Sequence, residues 1–279
     1  MYMSLESRPD SYQGWYQQGN SLRQEHRYED ALISYSRAIE YHPHDYWAWY
    51  RKAGVLESLG RYQEAVAHYQ QASKIKSDNY WSWYEEGCIY LKELAQSEQA
   101  IACFNRALEK RPNDYWANYR LAEAYRHHRE YESAIKYYIR AIVLRPNDFW
   151  AHYRKAETWQ NWEKWGLALQ TYDKAIALRP LDFWTYYQKG LILERLTNYY
   201  AAIDCYLTAL AIEPEQEEFL YRLGCCYAYL NETNLAITYL EQAIDLYPTK
   251  YLKLAVEDKV WQDYRAFVAK KKEQYGVSG

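Results

Sequence analysis

Five tryptophans, Trp47, Trp81, Trp116, Trp150 and Trp184, recur at intervals of 34 or 35 residues, and each is followed three residues later by a tyrosine, Tyr50, Tyr84, Tyr119, Tyr153 and Tyr187. Arg51, Arg120 and Arg154 come directly after three of those tyrosines. Rings with guanidinium groups beside them make and break no covalent bonds. They can stack on flat or apolar groups, hold cations on their faces and pair with carboxylates. Such residues are over-represented where proteins grip partners, because a rigid ring loses little entropy on binding.

The residues that could carry covalent chemistry do not assemble. Cys88, Cys103, Cys205, Cys225 and Cys226 are scattered, odd in number and without paired spacing, so they read as free thiols in a reducing compartment. Cys88 and Cys225 recur at the same place in their units, where a small buried side chain is the ordinary role. His127-His128 reads as a solvated pair. Glu123 and Glu157 recur 34 residues apart near Arg120 and Arg154, where ion pairing is the plain explanation. With no Gly-rich phosphate loop and no nucleophile elbow, the chain reads as non-catalytic and calls for no cofactor or metal.

The elements that must position the rings are set by the period. Pro112, Pro146, Pro180, Pro214 and Pro248 stand 34 residues apart, and Ser77 takes the place between Pro43 and Pro112. After a lead-in over 1–11, seven units follow: 12–45, 46–79, 80–114, 115–148, 149–182, 183–216 and 217–250. Six open after Ser11, Asp45, Asn79, Asp114, Asp148 or Asp182, whose oxygens can cap the first free amides of a helix; the seventh follows Gln216. The eighth residue is always Gly or Ala. Alanines recur at Ala31, Ala65, Ala100, Ala134, Ala168, Ala202 and Ala236, and again seven residues later, with Tyr35, Tyr69, Phe104, Tyr138, Tyr172, Tyr206 or Leu240 between. Small residues let two helices approach closely, and the ring between them fills the gap.

This Trp…Gly…Tyr…Ala…Phe…Pro pattern over some nine-tenths of the chain resembles the tetratricopeptide repeat family, with a density of Trp-Tyr lead-ins similar to arrays common in cyanobacterial proteins. The resemblance implies an all-α fold: helix-turn-helix units wound into a right-handed superhelical solenoid, with a groove lined by the first helix of each unit. It also implies that the second, fifth and ninth residues of that helix face the groove. The candidate wall is then Trp47, Tyr50, Arg51, Trp81, Tyr84, Trp116, Tyr119, Arg120, Glu123, Trp150, Tyr153, Arg154, Glu157, Trp184 and Tyr187. Unit three carries one extra residue, so its inter-helix turn near Leu94–Ser97 should bulge. From Tyr251 to about Tyr275 the period gives way to apolar residues at helical spacing, read as one long capping helix and tail over 251–279.

Two readings of the rings stay open. They are either a track for a partner or padding between neighbouring helices, and the change to Gln13 and Glu218 in the terminal units fits a central track or simple capping. A track of this chemistry suits an extended segment of another protein. Single-stranded nucleic acid could also stack on it, but a net charge of −3 and a nearly uniform ladder argue against that. The groove of the variety that grips acidic chaperone tails needs Lys and Asn where this chain has Tyr; only Asn20 fits. No run of some 18 apolar residues occurs, so the expected setting is cytoplasmic, without membrane insertion. The sequence fixes no oligomeric state.

Overall fold

The computed structural model describes residues 9–276, so the first eight residues of the lead-in lie outside it. The chain forms two compact parts, 1–146 and 147–279. The first holds four helix hairpins: α1 (Tyr12–Gln24) with α2 (Tyr28–Tyr41), α3 (Tyr46–Ser58) with α4 (Tyr62–Ile75), α5 (Tyr80–Lys92) with α6 (Ser97–Lys110), and α7 (Tyr115–His127) with α8 (Tyr131–Leu144). The second holds α9 (Phe149–Asn161) with α10 (Trp165–Leu178), α11 (Phe183–Arg195) with α12 (Tyr199–Ile212), and α13 (Glu217–Tyr229) with α14 (Thr233–Leu246), then the closing pieces α15 (Pro248–Glu257), a 3-10 helix (Lys259–Tyr264) and α16 (Arg265–Tyr275). The fold is an all-α tandem array, and among the described residues no helix is long and apolar enough to cross a membrane.

Local chemistry sets the boundaries. The six expected caps each accept an amide hydrogen bond, for example Asp45 from Ala48 N at 2.7 Å and Asp114 from Ala117 N at 2.8 Å, while Gln216 caps nothing through its side chain. Six second helices stop one residue short of a proline, which pushes the residue before it out of the helical region, as at Arg145 with φ −139 and ψ 85; Lys76, before Ser77, takes the same conformation without a proline. Six inter-helix turns contain three residues with the middle one left-handed: His26, Gly60, Arg129, Glu163, Thr197 and Asn231. Unit three has four turn residues with Ala95 left-handed, and Gln96 N reaches back to Tyr90 O at 2.8 Å, so the extra residue is absorbed in the turn.

Within each hairpin the recurring alanines are fully buried and the plugs Tyr35, Phe104, Tyr138, Tyr172, Tyr206 and Leu240 show no exposure. A buried ring of this size contributes roughly 4–6 kcal/mol of gross transfer free energy. At Gly19, Gly87 and Gly190 the plug ring arrives very close: a Cβ on Gly190 would stand 2.5 Å from a Tyr206 ring carbon.

The closing segment departs from the expected single helix. At Asp258 the backbone turns extended (φ −75, ψ 125), and the 3-10 turn that follows lays Trp261 against α13, where it is 1% exposed and closer to Gly224 than any other side chain. The seventh hairpin has Leu240 where the other six carry a ring, and the indole of Trp261 packs into the space beside it. Helical continuation would have left that hole open.

Candidate functional site

The five recurring tryptophans lie in the first turn of α3, α5, α7, α9 and α11, second residue of each helix. Their exposures are 44% for Trp47, 40% for Trp81, 45% for Trp116, 46% for Trp150 and 44% for Trp184, far above the plugs beneath them. The scaffold covers about half of each ring and leaves the rest open. On the covered side stands the first residue of the same helix: Trp47 meets Tyr46 at 4.9 Å between centroids, Trp116 meets Tyr115 at 5.0 Å and Trp150 meets Phe149 at 5.1 Å.

The tyrosines three residues on lie deeper. Tyr119 and Tyr187 are each 8% exposed, whereas Tyr50, Tyr84 and Tyr153 are half-buried. Each stands close to the plug of its own hairpin, as in Tyr50 with Tyr69 at 5.4 Å, Tyr84 with Phe104 at 5.9 Å and Tyr153 with Tyr172 at 5.7 Å. Hydroxyls reach the next hairpin: Tyr50 donates to Glu85 at 3.5 Å and Tyr187 to Glu218 at 3.2 Å. Within each part, therefore, the residues expected to line a wall separate into outer indoles and deeper tyrosines, of which Tyr50 and Tyr187 tie neighbouring hairpins together.

Among the charged candidates, Arg154 pairs with Glu157 at 2.8 Å, as its spacing suggests. Glu123 departs from expectation. It is 8% exposed, accepts a hydrogen bond from the Tyr138 hydroxyl and pairs with Arg126 at 3.4 Å instead of Arg120. A plug hydroxyl buried in the hairpin needs an acceptor, and the ninth residue is near enough to supply one. Arg120 lies 5.9 Å from the Tyr119 ring, and Arg51 and Arg120 are both half-buried.

Burial raises several acids on these helices. Glu85 is pushed up to about 7 by desolvation and by the neighbouring Glu57 carboxylate, against the hydrogen bond from Tyr50; Glu57 itself is raised by burial. The thiols of Cys88 and Cys225 are buried, and desolvation lifts them to about 11 and about 12, so they stay protonated and weakly nucleophilic at neutral pH. Both His127 and His128 are exposed. Among the described residues no group of three or more His, Cys, Asp or Glu side chains is placed to hold a metal ion.

Three arginines that the sequence reading did not select join the indole row. Arg111, Arg145 and Arg179 stand over the opening rings Tyr80, Tyr115 and Phe149 at 4.7, 4.2 and 4.5 Å, and at 5.0, 5.3 and 5.6 Å from Trp81, Trp116 and Trp150. The available signal was the Arg-Pro dipeptide that closes units three, four and five. Trp184 has no such arginine, because Glu213 takes that place and Phe219 packs on the indole at 6.1 Å.

Tetratricopeptide repeat models match residues 16–80, 89–149, 185–216 and 217–250, and the chain belongs to that family. The unmatched stretch 150–184 nevertheless folds as α9 and α10 with the same cap, plug and turn. Among curated proteins none matches the chain in sequence. Solved structures share the fold. The C-terminal part of a TPR repeat-containing protein from Cytophaga hutchinsonii aligns with a TM-score of 0.71 at 16% identity, over 85% of this chain and 98% of that one. YrrB, described as a TPR protein with an unusual peptide-binding site, aligns with a TM-score of 0.58 at 22% identity over 67% and 95%. PilW, a widely conserved type IV pilus biogenesis factor, aligns with a TM-score of 0.59 at 21% identity over 76% and 98%.

Proposed function

We propose that this protein is a non-catalytic interaction scaffold or assembly factor, working in the cytoplasm, that binds extended segments of a partner protein on the exposed indoles of its two parts. The observation that carries this reading is the repeated half-exposure of Trp47, Trp81, Trp116, Trp150 and Trp184 at one helical position. Large rings left open to water at the same place in consecutive units are the kind of surface that binding energy concentrates on. The peptide-binding site ascribed to YrrB and the biogenesis role ascribed to PilW, both of this fold, are in keeping with it.

Capture of partners by intact protein is compared with capture by Trp81→Ala, Trp116→Ala and Trp150→Ala, made singly. The reading expects each variant to stay folded by circular dichroism and to lose a partner that the intact protein retains. Undiminished capture by all three would remove the indole row from consideration.

A further inference from the structure

Arg111, Arg145 and Arg179 are the C-caps of α6, α8 and α10. The negative end of a helix dipole favours a cation there, which accounts for the charge but not for its second use. Stacking on Tyr80, Tyr115 and Phe149 at 4.2 to 4.7 Å fixes each guanidinium beside an open indole. A stacked guanidinium engages only its face, and its in-plane N–H donors remain available. All three residues are exposed, and among the described residues none has an ion pair or a side-chain hydrogen bond. Other surface arginines of the first part, such as Arg27, Arg37 and Arg61, are paired with Asp30, Glu40 and Glu64. Among the described residues Arg106, Arg129, Arg140 and Arg265 are likewise exposed without an ion pair, but Arg111, Arg145 and Arg179 are the ones held over exposed indoles.

We infer that Arg111 and Arg145 recognise carboxylates of an acidic, extended partner segment whose apolar side chains rest on Trp81 and Trp116, with Arg179 and Trp150 repeating the same pairing in the second part; this rests on the reading of the exposed indoles as a docking face. A planar fork pairs with a carboxylate through two parallel hydrogen bonds, and the ring beneath holds the fork in place before the partner arrives, so less entropy is lost on binding. A guanidinium stands at this place only in units three to five; the other units carry His42, Lys76, Glu213 and Tyr247 there. A polynucleotide fits less well because it carries a charge at every residue. An acidic peptide can place its charges only where the arginines are.

The test uses the full chain and a short fluorescein-labelled peptide of alternating glutamate and proline, which stays extended in solution. Its lysine-for-glutamate counterpart and labelled oligothymidine are run beside it at low and high salt. The glutamate peptide should bind with a marked loss at high salt, and the double variant Arg111→Gln with Arg145→Gln should weaken it roughly three- to thirtyfold, the worth of two exposed charge pairs. Replacement of the same two residues by lysine should weaken it less. The control pair Arg27→Gln with Arg37→Gln, of identical net charge, should leave it unchanged.

Absence of glutamate-peptide binding at low salt, equal weakening by the control pair, or tighter binding of oligothymidine than of the peptide would each overturn the inference. If the arginine variants retain a natural partner that Trp116→Ala loses, the indole reading survives and the acidic-segment inference falls. If Trp116→Ala retains the partner as well, both fall.

Discussion

Replacing Trp116 by alanine separates a ring that builds the fold from one that serves a partner, because the two roles predict different energies. The side chain is 45% exposed. An aromatic side chain buries about 150–250 Å² when fully covered, so this one hides roughly 80–140 Å², worth about 2–3.5 kcal/mol at 25 cal/mol per Å². Compactness of the unfolded chain trims that to about 1.5–3 kcal/mol. Tyr138, with no exposure in the same hairpin, should cost about 3–5 kcal/mol when cut to alanine. Urea unfolding followed by far-UV circular dichroism gives both values, and partner capture is then measured where each variant is still folded. A loss for Trp116→Ala as large as for Tyr138→Ala would show that the indole is core and refute the argument. The arithmetic also explains why the indoles are tested singly: three together would cost about 5–9 kcal/mol, as much as many domains possess.

Three further outcomes follow from the geometry. Glu85 has its carboxyl raised from 4.5 to about 7, so the stability linked to it is full below pH 4.5 and is lost as pH rises through 7; Glu85→Gln should gain about 1–3 kcal/mol over the parent at pH 8 and little at pH 4.5, read from urea midpoints, and an equal difference at both would contradict the burial argument. Gly190→Ala forces a Cβ to 2.5 Å from the Tyr206 ring and should lose about 1–3 kcal/mol despite better helix propensity, whereas Gly54→Ala, with only the Tyr69 hydroxyl at 3.5 Å, should gain about 0.5–1 kcal/mol by the same denaturation assay. Trp261→Ala should cost about 3–5 kcal/mol, with near-ultraviolet dichroism showing the loss centred on the seventh hairpin; a loss under about 1 kcal/mol would mean that the indole fills no essential space.

Much of the scaffold was legible in the sequence because its signals are local or strictly periodic. Asp45, Asp114 and their equivalents cap helices by reaching three residues ahead, and the alanine and plug positions recur at one spacing, so neither needs knowledge of the tertiary structure. The indole row was legible for the same reason. What escaped depends on contacts between residues distant in sequence. Arg145 and Trp116 are neighbours only because α8 brings its end back to the start of α7. Glu123 turned to a buried hydroxyl that spacing cannot reveal, and the tyrosine row sank beneath the indoles because each plug offers it an edge. The helical pattern after Tyr251 was real but was overruled at Asp258, where filling the space beside Leu240 outweighed continuing the helix.

The loan of Trp261 to the seventh hairpin has a consequence for how such an array can change length. A duplicated unit inserted upstream of Glu217 would find a complete neighbour on either side, since each of those hairpins carries its own ring. One inserted after Tyr247 would part α13 from its borrowed indole and leave a hole against Gly224. Gene duplication and protein engineering alike are thereby steered toward lengthening the array from within, with its final hairpin and closing segment inherited as one indivisible piece.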